Sequence, residues 1–150
     1  MTRNDIATAD ELWEAARRHF PTPSPDDQKA GIKLLQELAR GEPVTLARLA
    51  EALGRSVDEM EAFTSASPLS PFVHTDEGGR IQAFLGLSVT PTHHQITIGG
   101  RRLWAWCAPD TLAYAELLGE TTEIETRDPE RDQLVRLAMS PGRIETVNPT

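Results

Sequence analysis

The sequence is short of several things, and each shortage excludes something. One cysteine in 150 residues leaves no disulfide to form within the chain. That fits a reducing compartment, so the cytoplasm is the expected location. Basic residues are scarce: 15 Lys and Arg stand against 23 Asp and Glu, for a formal net charge of −8. Nucleic acid is therefore not an expected partner, because phosphate contacts need clustered Lys and Arg. No run approaches the ~18 apolar residues needed to cross a bilayer, and no membrane partner is expected. The N-terminal stretch MTRNDIATADELWEAARRHF is amphipathic and acidic, which is not the pattern of a secretory signal. No internal repeat or low-complexity segment stands out. What is there is a turn-rich chain, with 11 prolines beside 10 glycines and 39% hydrophobic residues. It can bury one core, or a small helical unit fused to a small sheet unit.

Capping signals place helices in the first half. Thr8-Ala9-Asp10-Glu11 is a capping box, predicting a helix from about Ala9 to Phe20 with Leu12, Trp13, Ala16 and Phe20 toward a core. Pro21 and Pro23 break it. Ser24-Pro25 opens a second helix, whose expected apolar stripe is Ile32, Leu35, Leu38 and Ala39, ended by Gly41. A third carries Leu46, Leu49, Ala50 and Leu53 and stops at Gly54. Ser56 caps a fourth, with Glu59 completing a second capping box and Val57, Met60 and Phe63 expected inward. The pattern from Val44 to Ser56 is that of a helix-turn-helix, followed by a wing: Phe72 to Thr75, a turn over Asp76–Gly79, then Arg80 to Phe84. DNA binding is the functional reading, and a helical packing module is preferred. The would-be recognition helix carries Asp58, Glu59 and Glu61, which phosphates repel.

From Leu85 the periodicity becomes two. Leu85, Leu87 and Val89 alternate, Gln95–Ile98 is a strand, and Gly99-Gly100 is a tight hairpin turn into a strand from Arg101 to Trp106. Further strands are expected over Thr121–Thr126, Leu134–Met139 and Ile144–Val147. Between them, GGRRLWAWCAPDTLAYAELLG holds two of the three tryptophans and the sole cysteine. Its strand runs into a turn at Cys107-Ala108-Pro109, and a helix is expected from an Asp110 N-cap to Gly119. Cys107 thus sits just ahead of a helix N-terminus, a placement that favours the thiolate. Trp104 and Trp106 share a side-chain phase, which by itself reads as core packing. Cys107 read alone is more often a buried core residue than a nucleophile, and its place at a helix start with Asp110 brings the two readings level. A zinc site at His93-His94 with Cys107 is not expected, since adjacent strand residues point to opposite faces and a structural site wants four ligands. His19 and His74 read as surface or wing residues.

The segment RRLWAWCAPDTL, with GLSVTPT before it and LLGETTEIE after it, resembles the core of the organomercurial (alkylmercury) lyases. The order of a winged-helix-like part and then a sheet is similar too, and the resemblance covers roughly residues 28–150. It implies an enzyme that cleaves the carbon–mercury bond by protonolysis, with Cys107 as the nucleophile that binds mercury and Asp110 as the proton carrier. Trp104 and Trp106 would wall an apolar substrate pocket. No cofactor is implied, because mercury is part of the substrate. The family's active site has a second cysteine in a C-terminal region, which these 150 residues lack, so a short form is expected. A low-molecular-weight thiol or Cys107 of a second subunit in a homodimer would then supply the missing sulfur.

The expected fold is α+β: a winged-helix-like helical N-terminal unit, then a small, mainly antiparallel β-sheet with one active-site helix. The expected division is an N-terminal helix over 1–23, the winged-helix-like domain over 24–84 and the lyase-like sheet domain over 85–150. Two other classes stay open. One is a non-catalytic thiolate-based binder of mercurials or another soft metal through Cys107. The other is an acidic winged-helix interaction module that binds protein partners.

Overall fold

Ser24 sets the start of the first long helix among the described residues. Its side chain accepts from the Asp27 N–H at 3.1 Å, and Pro25 occupies the first helical position, so helix α1 runs over Pro25–Leu38. The computed structural model describes residues 22–149 together with Asp10, Glu11, Glu14, Ala15 and Arg18, and these last five are helical. The apolar positions of the first expected helix, Leu12, Trp13, Ala16 and Phe20, lie outside the described residues, as does Thr8 of its capping box.

Helix α1 buries Ala30, Gly31, Leu34, Leu35 and Leu38. The expected stripe is rotated: Leu34 enters the core, while Ile32 stays half-buried. The reason lies at Gly31, where a Cβ would touch Leu69 and the Phe84 ring at 3.4 Å. The helix backbone rests directly on Phe84, and that contact fixes which face turns inward. Helix α2 (Leu46–Leu53) is capped by Thr45 and stopped by Gly54 at φ +63°. Helix α3 (Val57–Ala66) carries the reciprocal Ser56–Glu59 capping box. Met60 and Phe63 are buried as expected, whereas Val57, at the first helical position, is exposed. Asp58, Glu59 and Glu61 are exposed as well.

A single 3-10 turn, Ser70–Phe72, leads into the wing. Strands β1 (Val73–Thr75) and β2 (Ile81–Phe84) flank a turn in which the Asp76 carboxylate accepts from the Gly78 and Arg80 N–H groups, both at 2.9 Å. Val44 adds a bridge to Ile81, with N–H···O distances of 2.8 and 2.7 Å, and so ties the helices to the sheet.

All strands of the described residues join one antiparallel sheet in the order β1-β2-β3-β5-β4-β6-β7-β8. The remaining strands are β3 (Leu87–Ser88), β4 (His94–Ile98), β5 (Arg101–Ala105), β6 (Thr122–Asp128), β7 (Gln133–Ser140) and β8 (Arg143–Pro149). Gly99 and Gly100, at φ +57° and +75°, make the expected two-residue β4–β5 turn. Ile96, Ile98, Leu103, Ala105 and Ile124 join the same core as the helical side chains. Helix α1 packs against β2, β3 and the short helix α4 (Tyr114–Leu118), and α4 also reaches β7. The architecture is α+β, as expected.

The alternation Leu85, Leu87, Val89 does not make one strand. Phe84 pairs with Leu87, so Leu85 and Gly86 form a two-residue turn between β2 and β3, at φ +47° and +82°. Leu85 is a non-glycine residue in the left-handed region, a conformation that costs about 1–2 kcal/mol. Its side chain packs, partly buried, on the core, which helps hold that conformation.

Candidate active site

The site begins where β5 ends. The strand stops at Ala105, one residue short of the expected Trp106. The Trp106 N–H still donates to the Gly86 carbonyl at 3.0 Å, which anchors the chain as it leaves the sheet. Cys107 follows, exposed, and the chain then winds into a 3-10 turn over Pro109–Leu112. The Thr111 hydroxyl donates to the Ala108 carbonyl at 2.6 Å and stabilises that turn.

Asp110 is not the N-cap the sequence suggests. It lies inside the 3-10 turn, and neither that turn nor α4 has a side-chain cap. Its carboxylate instead points back across the turn, where Oδ2 accepts the Cys107 N–H at 3.3 Å. Gly119, at φ +66°, does end α4 as expected.

This geometry also reverses the expected charge state of the cysteine. Hydrogen bonding to the Asp110 carboxylate pushes the Cys107 thiol above its ordinary pKa. Partial burial and the Asp110 charge add to the rise, and the Asp110 backbone N–H offsets it only in part. A short 3-10 turn offers little dipole to set against a carboxylate in contact. The carboxylate beside Cys107 therefore favours the protonated thiol over the thiolate.

Two further residues complete the cluster. Tyr114 is buried, and its hydroxyl donates to the Leu85 carbonyl at 2.8 Å. Burial, then the charges of Asp110 and Cys107, push its phenol far upward, so it stays a neutral donor. Gly86 faces Asp110 so closely that a Cβ there would lie 2.2 Å from the carboxylate Oδ2.

The tryptophans part company. Trp104 is half-buried on β5, opposite Ser88 and Gln95, while Leu103 and Ala105 beside it face the core. Trp106 is 46% exposed and meets the His74 ring edge-on, with centroids 4.1 Å apart. His74, read from sequence as a wing residue, is thus a neighbour of the site. His94 opens β4 and shares a hydrogen bond with the Thr126 hydroxyl. Among the described residues no cluster of three or more His, Cys, Asp or Glu side chains is placed to hold a metal ion.

Two family models match the chain. The alkylmercury lyase (MerB) model matches residues 87–150, and the model for the helix-turn-helix domain of alkylmercury lyase matches residues 25–84. The chain belongs to the alkylmercury lyase family. Curated alkylmercury lyases from Bacillus cereus and Clostridium butyricum are each 38% identical to it over 117 residues, 78% of this chain and 52% of theirs. The chain spans about half the length of these relatives (52%). A solved structure, the mercury-bound form of MerB2, shares the fold at TM-score 0.70 and 22% identity, over 91% of this chain and 65% of that one.

Within this alkylmercury lyase family member, sequence reasoning singled out Cys107 and Asp110, and the fold brings them together. It passed over Leu85, Gly86, Tyr114 and His74. One signal for Gly86 was present: a glycine inside an alternating apolar run marks a bulge, a turn or a close approach.

Proposed function

We propose that this chain captures organomercurials at Cys107 and protonates the leaving carbon through Asp110. The Asp110 carboxylate, folded back to accept the Cys107 N–H at 3.3 Å and so placed that it raises the thiol pKa, carries this reading. Thiolate sulfur is the natural ligand of a soft metal such as mercury. As the Cys107 sulfur bonds R–Hg⁺, its proton passes to the neighbouring Asp110 carboxylate. The resulting carboxylic acid is a general acid beside the carbon–mercury bond. It gives that proton to carbon, R–H leaves, and Asp110 returns to its ionised form with mercury still on Cys107. The raised thiol pKa fits this role, because the proton that cleavage consumes is stored on the nucleophile itself.

The exposed Trp106 ring beside Cys107 offers an apolar surface to the alkyl or aryl group, and Trp104 lies two residues back on β5. A second thiolate adds electron density to mercury and weakens the bond to carbon. Cys107 is the single cysteine of these 150 residues, so when these residues act alone that sulfur is supplied from outside them, by a low-molecular-weight thiol or by Cys107 of a second copy.

The single cysteine also favours a second reading, in which the chain sequesters mercurials without cleaving them. Incubating the chain with phenylmercury and following benzene release, with and without millimolar glutathione, separates the two. Benzene that appears only with glutathione supports the enzymatic reading. One bound equivalent with no benzene under either condition overturns it in favour of sequestration. Cys107→Ser abolishes capture in both readings. Capture that survives this substitution contradicts both and leaves the acidic interaction module.

A further inference from the structure

The Leu85–Gly86 turn makes contacts that a plain hairpin connection does not need. Gly86 accepts from the Trp106 N–H, and Leu85 accepts from the Tyr114 hydroxyl. These bonds fix the turn to the residue before Cys107 and to the helix after Asp110. The Cα of Gly86 then forms the surface on which the Asp110 carboxylate lies. A Cβ on Gly86 would come within 2.2 Å of Oδ2, 2.7 Å of the Asp110 Cγ and 3.0 Å of the Tyr114 hydroxyl. No L-side chain fits there without moving the carboxylate. The turn also tolerates a leucine at φ +47° next to that glycine. Such a conformation persists only where its surroundings over-determine it.

We infer that Gly86 and Tyr114 are positioning residues, which hold the Leu85–Gly86 turn as a seat that keeps the Asp110 carboxylate against Cys107. Tyr114 acts through its hydroxyl bond to the turn, and Gly86 by having no side chain. The inference rests on the reading of Cys107 and Asp110 as the reacting pair. It also gives the helical half of the chain a part in the site, because Leu85 packs on the core that α1 shares.

The test needs no mercury, so it fails or succeeds independently of the cleavage chemistry. Cys107 is alkylated with iodoacetamide across a pH series in the full chain, and the midpoint of the rate profile is read. The titratable groups grouped with Cys107 are Asp110 and Tyr114, while His74, on the wing strand, reaches the adjoining Trp106. Asp110→Asn sets the reference, with the midpoint moving to lower pH as the carboxylate is lost. Gly86→Ala and Tyr114→Phe are expected to move it the same way and by no more. Each variant's circular dichroism reports whether it has folded. A folded Gly86→Ala protein with the wild-type midpoint overturns the inference. So does a wild-type midpoint in Tyr114→Phe, which keeps the ring and decides the matter even if Gly86→Ala does not fold.

Discussion

Strands β2 and β5 and the terminal hairpin β7–β8 belong to one sheet, yet they are built differently. Helix α1 packs on β2 and β3 in the first region, where Ile81, Ala83 and Phe84 of β2 and Leu103 and Ala105 of the neighbouring β5 are buried. In the second, Met139 is the buried apolar residue of β7, and Ile144 and Val147 of β8 are 54% and 53% exposed. The proposed reacting pair, Cys107 and Asp110, lies at the end of that first region, one turn beyond β5. Groups that must stay within hydrogen-bond distance need neighbours whose own positions are fixed by packing. The helices therefore serve the chemistry through the sheet, and the acidic face of α3 is their solvent side.

The contrast can be broken most forcefully at Phe84. Phe84→Ala removes the ring that meets Gly31 and stacks edge-on with Phe63 at 6.2 Å. It is expected to cost about 3–5 kcal/mol in chemical denaturation. A loss near that of a surface site would mean the helices do not brace the sheet. Ser56→Ala, which dismantles the capping box of α3, should cost about 1 kcal/mol in the same experiment. Ile144→Ala sharpens the comparison from the other side, with an expected change within about 0.5 kcal/mol. A large loss there would show that β8 carries a packed face after all.

The smallest effect expected is a pH dependence. The folded protein holds the Cys107 thiol above its ordinary pKa, so its contribution to stability is complete below that ordinary value. It is lost as pH rises through the raised folded value. Melting curves across the alkaline range should show wild type losing stability relative to Cys107→Ser, and only slightly, because the thiol is exposed and screened.

Local chemistry made much of the fold legible. Ser24, Thr45, Ser56 and Gly54 mark helix ends by mechanisms complete within a few residues, and Gly99-Gly100 specifies its hairpin the same way. The Leu85–Gly86 turn was hidden because its apolar residues keep a period of two straight through it. Tyr114 was hidden because its partner lies 29 residues away. Asp110 was recognisable as a residue but not as a contact. A carboxylate three residues past a turn can cap the helix ahead or fold back on the residue behind, and the spacing is the same. That ambiguity is why the sequence pointed to a thiolate at Cys107, whereas the carboxylate folded back beside it raises the thiol pKa.

The central claim is that the proton for cleavage travels from Cys107 to carbon through Asp110. Asp110→Asn tests it most directly, with phenylmercury and millimolar glutathione, by measuring bound mercury and released benzene on the same samples. The account predicts one equivalent of phenylmercury captured as in wild type, and benzene release slower by about 10²–10⁴-fold, the usual contribution of a general acid. Benzene released at the wild-type rate would contradict it.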